Sequence, residues 1–426
     1  MSMLQGKKTV ALNPGLAIEE LHDAGSIGAI APQWELLREK VARNNGTRGP
    51  FLSSTWFMIM ARTLAGPNGR SVRIVLAREA GRLVGALPLL VERRRLCGIP
   101  ARLLRSLSDD HSQRFDALVD SPETAGSLFD YLAKDSSWDA IELRDVPDPA
   151  ISQAKQPGVI TGVDLLCARA AARGFRIAKW RSQRSPYLPL PVSENALEES
   201  LDRRFRSNLR RRARRIASEV GEVTLRRVSE PAEIESALAA AFMLEAMGWK
   251  GQQGTAIACD RSLMSRYVAL SNAFLERGHL ALHLLLAAGR PIAFQLALLE
   301  QGVYYFLKGG YDCSLSRYGI GQMLVHEVAK DLIRSGCHEI DFLGDENPCK
   351  REWTDLVRAH SWRYVFQQSS FGNVLYSWKF RLVPALRELG IAWSSFREQP
   401  SSHPLGTGNP RRGDGRILRQ ASRSSS

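Results

Sequence analysis

Three apolar runs separated by turns too short for a crossover constrain this chain more than any other feature. Residues 280–286 form one continuous apolar run, Ala288-Gly289-Arg290 breaks it, residues 292–299 resume it, and after Gln301-Gly302 a third run covers 303–307. Strands joined this way must form an antiparallel meander, because a parallel return needs about a dozen residues or more. Beyond the third run come Lys308-Gly309-Gly310-Tyr311-Asp312 and then Ser316-Arg317-Tyr318-Gly319-Ile320-Gly321. From Ile320 the apolar residues recur as Met323/Leu324, Val328 and Leu332/Ile333, which is helical spacing, and Gly336 stands where a C-terminal cap belongs. Residues 339–343 then read as a strand beside the meander. A helix opened by glycine presents free backbone N–H groups and the positive end of its dipole, a cradle for a phosphate or pyrophosphate.

This order of meander, glycine-opened helix and strand resembles the core of the GNAT acyltransferase superfamily. The loop before the helix there reads Gln/Arg-x-x-Gly-x-Gly/Ala and wraps the pyrophosphate of coenzyme A. Gly319 and Gly321 match, but Ser316 stands where Gln or Arg is expected and Arg317 comes one place late. The side-chain donor to the phosphate is therefore open, while the backbone cradle is kept. Further segments are similar to one branch, the CelD/BcsL-type acetyltransferases associated with cellulose and exopolysaccharide biosynthesis, related in turn to the Fem-type peptidyl transferases. They are Arg206-Ser207-Asn208-Leu209-Arg210-Arg211-Arg212, Gly248-Trp249-Lys250-Gly251, Gly289-Arg290-Pro291-Ile292-Ala293-Phe294-Gln295, Gly310-Tyr311-Asp312, and Asp341 to Asp345 with Lys350 and Trp353.

The first half of the chain carries a second, degenerate copy. Ala80-Gly81-Arg82-Leu83-Val84-Gly85-Ala86 repeats the character of Ala288-Gly289-Arg290-Pro291-Ile292-Ala293-Phe294, and Ala140-Ile141-Glu142-Leu143 mirrors Glu339-Ile340-Asp341-Phe342 after a helical stretch at 123–133. No Gly-x-Gly helix start occurs there; Arg105-Ser106-Leu107-Ser108-Asp109-Asp110-His111 takes its place. The expected fold is α/β, a duplicated GNAT-like architecture in which each half is a mixed, mostly antiparallel sheet flanked by helices. A degenerate domain is expected over 1–190, an acyltransferase domain over 191–395, and a disordered tail over 396–426 that is rich in Ser, Gly, Pro and Arg.

The 426 residues contain no apolar span long enough to cross a membrane, and Lys7-Lys8 is not followed by an apolar leader, so a cytoplasmic protein is expected. Cys97, Cys167, Cys259, Cys313, Cys337 and Cys349 have no paired spacing and read as reduced thiols. His326-Glu327-Val328-Ala329-Lys330 begins like a zinc-protease motif, but Lys330 occupies the second ligand position, and no metal is expected. Neither a nucleophile-elbow serine motif nor a Walker-type phosphate loop occurs.

Net charge is +14, and eight arginines without an acid lie between Arg203 and Arg215. Leu197, Leu201, Phe205, Leu209, Ala213, Ile216 and Val220 form one apolar row along a helix expected over 194–220, with Ser193 and Gly221 as caps. The arginines face solvent, a phosphate of the cofactor's nucleotide or an anionic acceptor, or nucleic acid, the last disfavoured because no aromatic residues are interleaved for base stacking; duplex DNA is not expected.

The resemblance implies direct attack of an amine on an acyl thioester, with acetyl-CoA or another acyl-CoA as co-substrate. Arg317, Tyr318, Gly319, Ile320 and Gly321 would hold it, and backbone N–H groups of the strand at 303–307 would polarise the thioester carbonyl. A carboxylate base needs a pKa raised towards neutrality. Asp341 is the first candidate, with Asp312 and Asp345 close behind; the alternative for Asp341 is a carboxylate on the solvent face, or one that caps and pairs with Lys350 or Arg351. Tyr311 or Tyr318 would protonate the thiolate. Trp249, Lys250, Gln295, Asp345, Lys350 and Trp353 are candidates to bind the acceptor, with salt bridges and core packing as the plainer reading of the lysines and tryptophans. The implied activity is acyl transfer to an amine, on an amino sugar or cell-surface saccharide precursor. The alternatives are a Fem-type transfer from aminoacyl-tRNA and an inactive scaffold for an anionic polymer.

Overall fold

The computed structural model describes residues 10–388 apart from 14, 47, 67–68 and 150–159. The expected tail over 396–426 lies outside them. The strands are β1 (Val10–Asn13), β2 (Leu16–Leu21), β3 (Ser71–Glu79), β4 (Arg82–Leu96), β5 (Ile99–Ser106), β6 (Leu118–Val119), β7 (Ala140–Pro147), β8 (Arg176–Pro189), β9 (Val223–Val228), β10 (Leu280–Ala287), β11 (Arg290–Glu300), β12 (Val303–Tyr311), β13 (Glu339–Asp341) and β14 (Val357–Phe366). They form one sheet in the order β1-β2-β3-β4-β5-β7-β14-β8-β13-β12-β11-β10-β9, with β6 paired to β4. Among the described residues only two pairings are parallel, β5 with β7 and β12 with β13. The sheet is thus mixed and mostly antiparallel, flanked by helices.

The two halves repeat one another in detail. Hairpin turns at Ala80-Gly81 and Ala288-Gly289 both place two residues at positive φ (47° and 79°; 47° and 75°). The next turns, Cys97-Gly98 and Gln301-Gly302, do so again (47° and 87°; 49° and 74°). Two successive left-handed residues match the twist of the flanking strands, which is why glycine takes the second place each time. Irregularities of register fall at equivalent places, between Ala77 and Arg78 and between Leu285 and Leu286. The parallel pairs match as well: Leu103, Leu104 and Arg105 face Ala140, Ile141 and Glu142, and Val303, Tyr304 and Tyr305 face Glu339, Ile340 and Asp341.

The halves are joined by exchange. β8 precedes the second copy in sequence yet pairs with β13, and β14 follows that copy yet pairs with β7, so β14 and β8 form a central antiparallel pair. The sheet runs without a break across residue 190. One core cluster spans both halves and includes Trp34, Phe57 and Leu76 together with Leu238, Leu270 and Tyr305; a second, with Phe205, Tyr304, Met323 and Leu332, covers the opposite face of the later copy. The ion pair of Arg38 with Glu300 at 2.8 Å and the edge-on contact of Phe51 with Tyr305 at 5.7 Å tie the copies together.

The helix expected over 194–220 is two helices, Glu194–Ser200 and Arg203–Glu219. Leu201 is extended (ψ 143°) and the Asp202 carboxylate accepts from the N–H groups of Arg204 and Phe205. A carboxylate cap starts the second helix there, and this competes successfully with continuing the first. No described helix is long and apolar enough to cross a membrane.

Candidate active site

β12 and β13 touch over three residues and then part. β12 runs on to Tyr311, bonded to β11 on one side only. Lys308 faces Leu296 and Phe306 faces Ala297, so Leu307 is an extra residue, a bulge that bends the strand. Beyond Tyr305 the β13-side edge of β12 therefore carries backbone groups with no strand opposite, and residues 306–310 are half-buried. Gly309 and Gly310 are required by close approach. A Cβ on Gly309 would lie 2.7 Å from Phe306 Cζ, and one on Gly310 would lie 3.0 Å from Glu245 Cα, where the helix Pro231–Ala246 crosses the strand. This splayed edge is an open track for a molecule that bonds to backbone, and its N–H groups can polarise a carbonyl laid along it.

At the far end of the track lies the helix Ile320–Arg334, opened by Gly319 in the left-handed conformation (φ 64°, ψ 41°) without a side-chain cap. The Gln322 and Met323 N–H groups reach Gly319 O, both at 3.1 Å, whereas those of Ile320 and Gly321 find no acceptor among the described residues. The half-exposed ring of Tyr311 flanks Gly321: a Cβ there would sit 3.7 Å from the ring, an ordinary contact. Ile320 itself is core. Arg317 and Tyr318 point the other way, onto the arginine helix: the Tyr318 hydroxyl donates to Glu219 at 2.6 Å, and Arg317 pairs with Glu219 and lies over the Tyr318 ring. Of the five expected cradle residues, Gly319 spends its N–H on Ser316 O at 3.0 Å, and the N–H groups of Ile320 and Gly321 remain available to a ligand.

Lys308 follows the bulge on the face turned towards the first half. Its ammonium stands 5.6 Å from the Tyr267 ring centre. Burial lowers its pKa to about 8, helped by Lys250 and opposed by Glu245 and Asp109. Both carboxylates are engaged elsewhere. Glu245 pairs with Lys250 at 2.6 Å and accepts from Ile257 N at 2.8 Å, and Asp109 is bound by Arg266. His111 meets the Tyr267 hydroxyl at 3.3 Å. Asp109 and His111 come from the segment that replaces the glycine cradle in the first copy, and they lie beside Tyr267 and Lys308 of the later copy. No sequence pattern had marked Lys308, Asp109, His111 and Tyr267 as neighbours. The available signal was an uncommon pairing, a lysine directly after an aromatic strand and directly before two glycines.

Asp341 marks the point where the strands part. It is fully buried, held by Arg114 and by Arg358 at 3.1 Å, and it accepts from Leu343 N at 3.0 Å. Burial would push its pKa up, but the two guanidiniums overcome that and hold the carboxyl below its usual range. The expected rise is reversed, and a carboxylate fixed in its ionised form between two arginines is a poor proton acceptor. Its contacts tie the end of β13 to Arg114, Arg358 and the turn at Leu343. Leu343 and Gly344 turn sharply at positive φ (47° and 57°), and Lys350 Nζ donates to Leu343 O at 2.5 Å and Asp345 O at 2.8 Å. Burial lowers Lys350 to about 8, with Asp341 and Asp345 opposing.

The remaining candidates scatter. Asp312 is a cap: the Ser314 hydroxyl and N–H and Arg290 all donate to it, and the Ser314 hydroxyl leads in holding its pKa low. Asp345 accepts from Arg184 N at 3.0 Å. Gln295 is buried in the sheet and accepts from the Tyr304 hydroxyl at 3.2 Å, beside His283. Trp353 is a core aromatic, edge-on to Phe205 at 5.1 Å. Lys250 is engaged by Glu245, and Trp249 lies on the short helix Trp249–Gln252. Around the seam between the copies, the Gln113 Oε1, Arg114 Nε and His360 Nδ1 atoms are buried with no hydrogen-bond partner among the described residues. Gln113 Oε1 and Lys350 Nζ each lie 3.6 Å from where a Gly344 Cβ would be. Burial lowers His360 to about 3, so its imidazole is neutral near pH 7.

Comparison with known proteins bears on this parallel pair, splayed at a bulge and leading to a glycine-opened helix. Residues 203–351 match the family described as acetyltransferase (GNAT) domain. No curated protein sequence matches the chain. In fold the chain is similar to FemX, with 14% identity, a TM-score of 0.51, and 80% of this chain and 98% of that one covered. It is also similar to L-PGS from Bacillus licheniformis (10% identity, TM-score 0.46, 81% and 95% covered). A tandem GNAT protein from the clavulanic acid biosynthesis pathway aligns as well (14% identity, TM-score 0.44, 83% and 100% covered). The family match over residues 203–351 supports an acyltransferase, and the likeness to FemX is one of fold alone.

Proposed function

We propose that the chain transfers an acyl group, an acetyl group first of all, from acyl-coenzyme A to the amine of an amino sugar or a related cell-surface saccharide precursor. The observation that carries this reading is the splay: a backbone edge with no strand opposite, ending at two unpaired helix N–H groups. Pantetheine would bond along β12, the pyrophosphate would rest on Ile320 and Gly321, and the acceptor would enter at the seam lined by Lys308, Gln113 and Lys350. Lys308 is the base. Its neutral amine takes one proton from the acceptor ammonium. The nitrogen then bonds to the thioester carbon, the C–S bond breaks, and the second proton shed by nitrogen goes to the departing sulfur. A base with a pKa near the working pH combines a useful neutral fraction with adequate strength.

Calorimetry with coenzyme A tests the cradle. Gly321 has ordinary φ and room for a side chain within the protein, so Gly321→Val is expected to leave the thermal midpoint unchanged and to weaken binding by about 1–3 kcal/mol through crowding of the phosphates. Unaltered affinity would remove the assignment. Stoichiometry is expected to be one per chain. In the first copy the corresponding helix, Pro122–Ala133, is capped by the Ser121 side chain, and the β5–β7 splay holds Arg105, Glu142 and Arg144 in ion pairs of 2.6–3.1 Å. Two equivalent sites in the titration would contradict this.

A second reading is transfer from an aminoacyl ester, with transfer RNA on the arginine helix. It is favoured by the exposed guanidiniums of Arg203, Arg204 and Arg214, which have no partner among the described residues. Salt-sensitive transfer RNA binding without coenzyme A binding would select it.

A further inference from the structure

The row Phe205, Leu209, Arg212, Ile216, Glu219 follows one side of the helix Arg203–Glu219 at alternating steps of four and three, buried at Phe205, Leu209 and Ile216, half-buried at Arg212 and exposed at Glu219. Phe205, Leu209 and Ile216 are core. Two positions of the row are charged. Glu219 is accounted for by Tyr318, Arg317 and Arg215. Arg212 is not: it is half-buried and has no hydrogen bond or ion pair among the described residues. Its neighbours differ, since Arg206 donates to Glu198 O, Arg210 pairs with Glu198, Arg211 donates to Asn208 and Arg215 pairs with Glu219. Arg212 lies on the cradle. Its Nη1 is 2.5 Å, and its Cδ 3.0 Å, from where a Cβ on Gly319 would be.

We infer that Arg212 is the guanidinium donor to the coenzyme A pyrophosphate, brought by the arginine helix in place of the loop side chain that Ser316 cannot supply. This rests on the coenzyme A reading above. The left-handed Gly319 removes the side chain that would collide with the guanidinium. The Ile320 and Gly321 N–H groups and the Arg212 fork then converge on one anion. A planar fork matches two phosphate oxygens at once, whereas a serine hydroxyl at 316 would carry no charge. The Glu219, Arg317 and Tyr318 contacts hold the last turn of the arginine helix against the loop, which sets the distance from Arg212 to the cradle.

The test is calorimetric titration of the full chain with coenzyme A, dephospho-coenzyme A and pantetheine, using wild type, Arg212→Gln and Arg212→Lys. Arg212→Gln is expected to weaken coenzyme A and dephospho-coenzyme A alike by about tenfold or more, the scale of a hydrogen bond to a charged group. Pantetheine binding and the thermal midpoint of the free protein should not change. Arg212→Lys should recover part of the loss as a point charge, and the salt dependence of coenzyme A binding should flatten in Arg212→Gln. Wild-type binding retained in Arg212→Gln overturns the assignment. So does a loss confined to coenzyme A, which would place Arg212 on the 3′-phosphate, and so does a lowered midpoint with equal loss for pantetheine, which would make the role structural. A wild-type chain that binds none of the three compounds defeats the coenzyme A reading itself, a result distinct from these.

Discussion

Lys308→Met is expected to slow acyl transfer by about 10²–10⁴ while leaving coenzyme A affinity near wild type. In the proposed mode the cofactor would bond to the backbone of β12, which the substitution preserves, and methionine would fill the space along the Tyr267 ring. With Lys308 present, kcat/KM should rise with pH through about 8, as the ammonium gives up the proton that burial already makes loose. In the variant that limb should disappear, and part of the lost rate should return above the pKa of the acceptor amine, which then arrives deprotonated. Folding should not suffer, because a partly desolvated charge is being replaced by an apolar chain of similar length. Near-wild-type turnover with the limb intact would move the role to Lys350, the other lysine that burial lowers to about 8.

Asp341→Asn is expected to cost about 3–5 kcal/mol of stability, since it leaves Arg114 buried without its counter-charge, while Arg358 keeps its pair with Glu339 at 2.7 Å. Urea unfolding at pH 7 measures this directly. The pH dependence carries a sign. The Asp341 carboxyl is depressed in the folded state, so its contribution is complete above the ordinary aspartate range near 4 and is lost as pH falls through the lower folded value. The difference in stability between wild type and Asp341→Asn should therefore shrink as the solution is acidified below about 4. Turnover should fall as well, through the lip formed by Leu343, Gly344 and Lys350 rather than through loss of a base. A variant of wild-type stability would show that the arginine clamp contributes nothing.

The meander and the cradle helix were legible because each rests on local chemistry. Alternating turns with glycine in the second place fix the hairpins around Gly81 and Gly289. The spacing of Met323, Val328 and Leu332 fixes the helix that Gly319 opens. The duplication was legible for the same reason, from Ala80-Gly81-Arg82 against Ala288-Gly289-Arg290. The helix break at Leu201–Asp202 was not, because the apolar row continues unbroken through it while a carboxylate cap decides the backbone.

The candidate base illustrates the limit more sharply. By itself the sequence determined the strand that ends in Asp341, the glycines at 319 and 321, and the absence of a loop cation at Ser316. It could not determine the protonation of any carboxylate. That depends on charges far away in the chain: Arg114, 227 residues from Asp341, turns an expected proton acceptor into a permanent anion. Nor could it show that Asp109 and His111, in the half that lacks a cradle, face Lys308 in the half that has one. The β14–β8 pair joins the two copies in one continuous sheet, and those residues meet between the copies through packing in space rather than nearness in sequence. Burial and ion pairing are sums over neighbours in space. Periodicity along the chain names the elements, and the way they pack decides which of their side chains can move a proton.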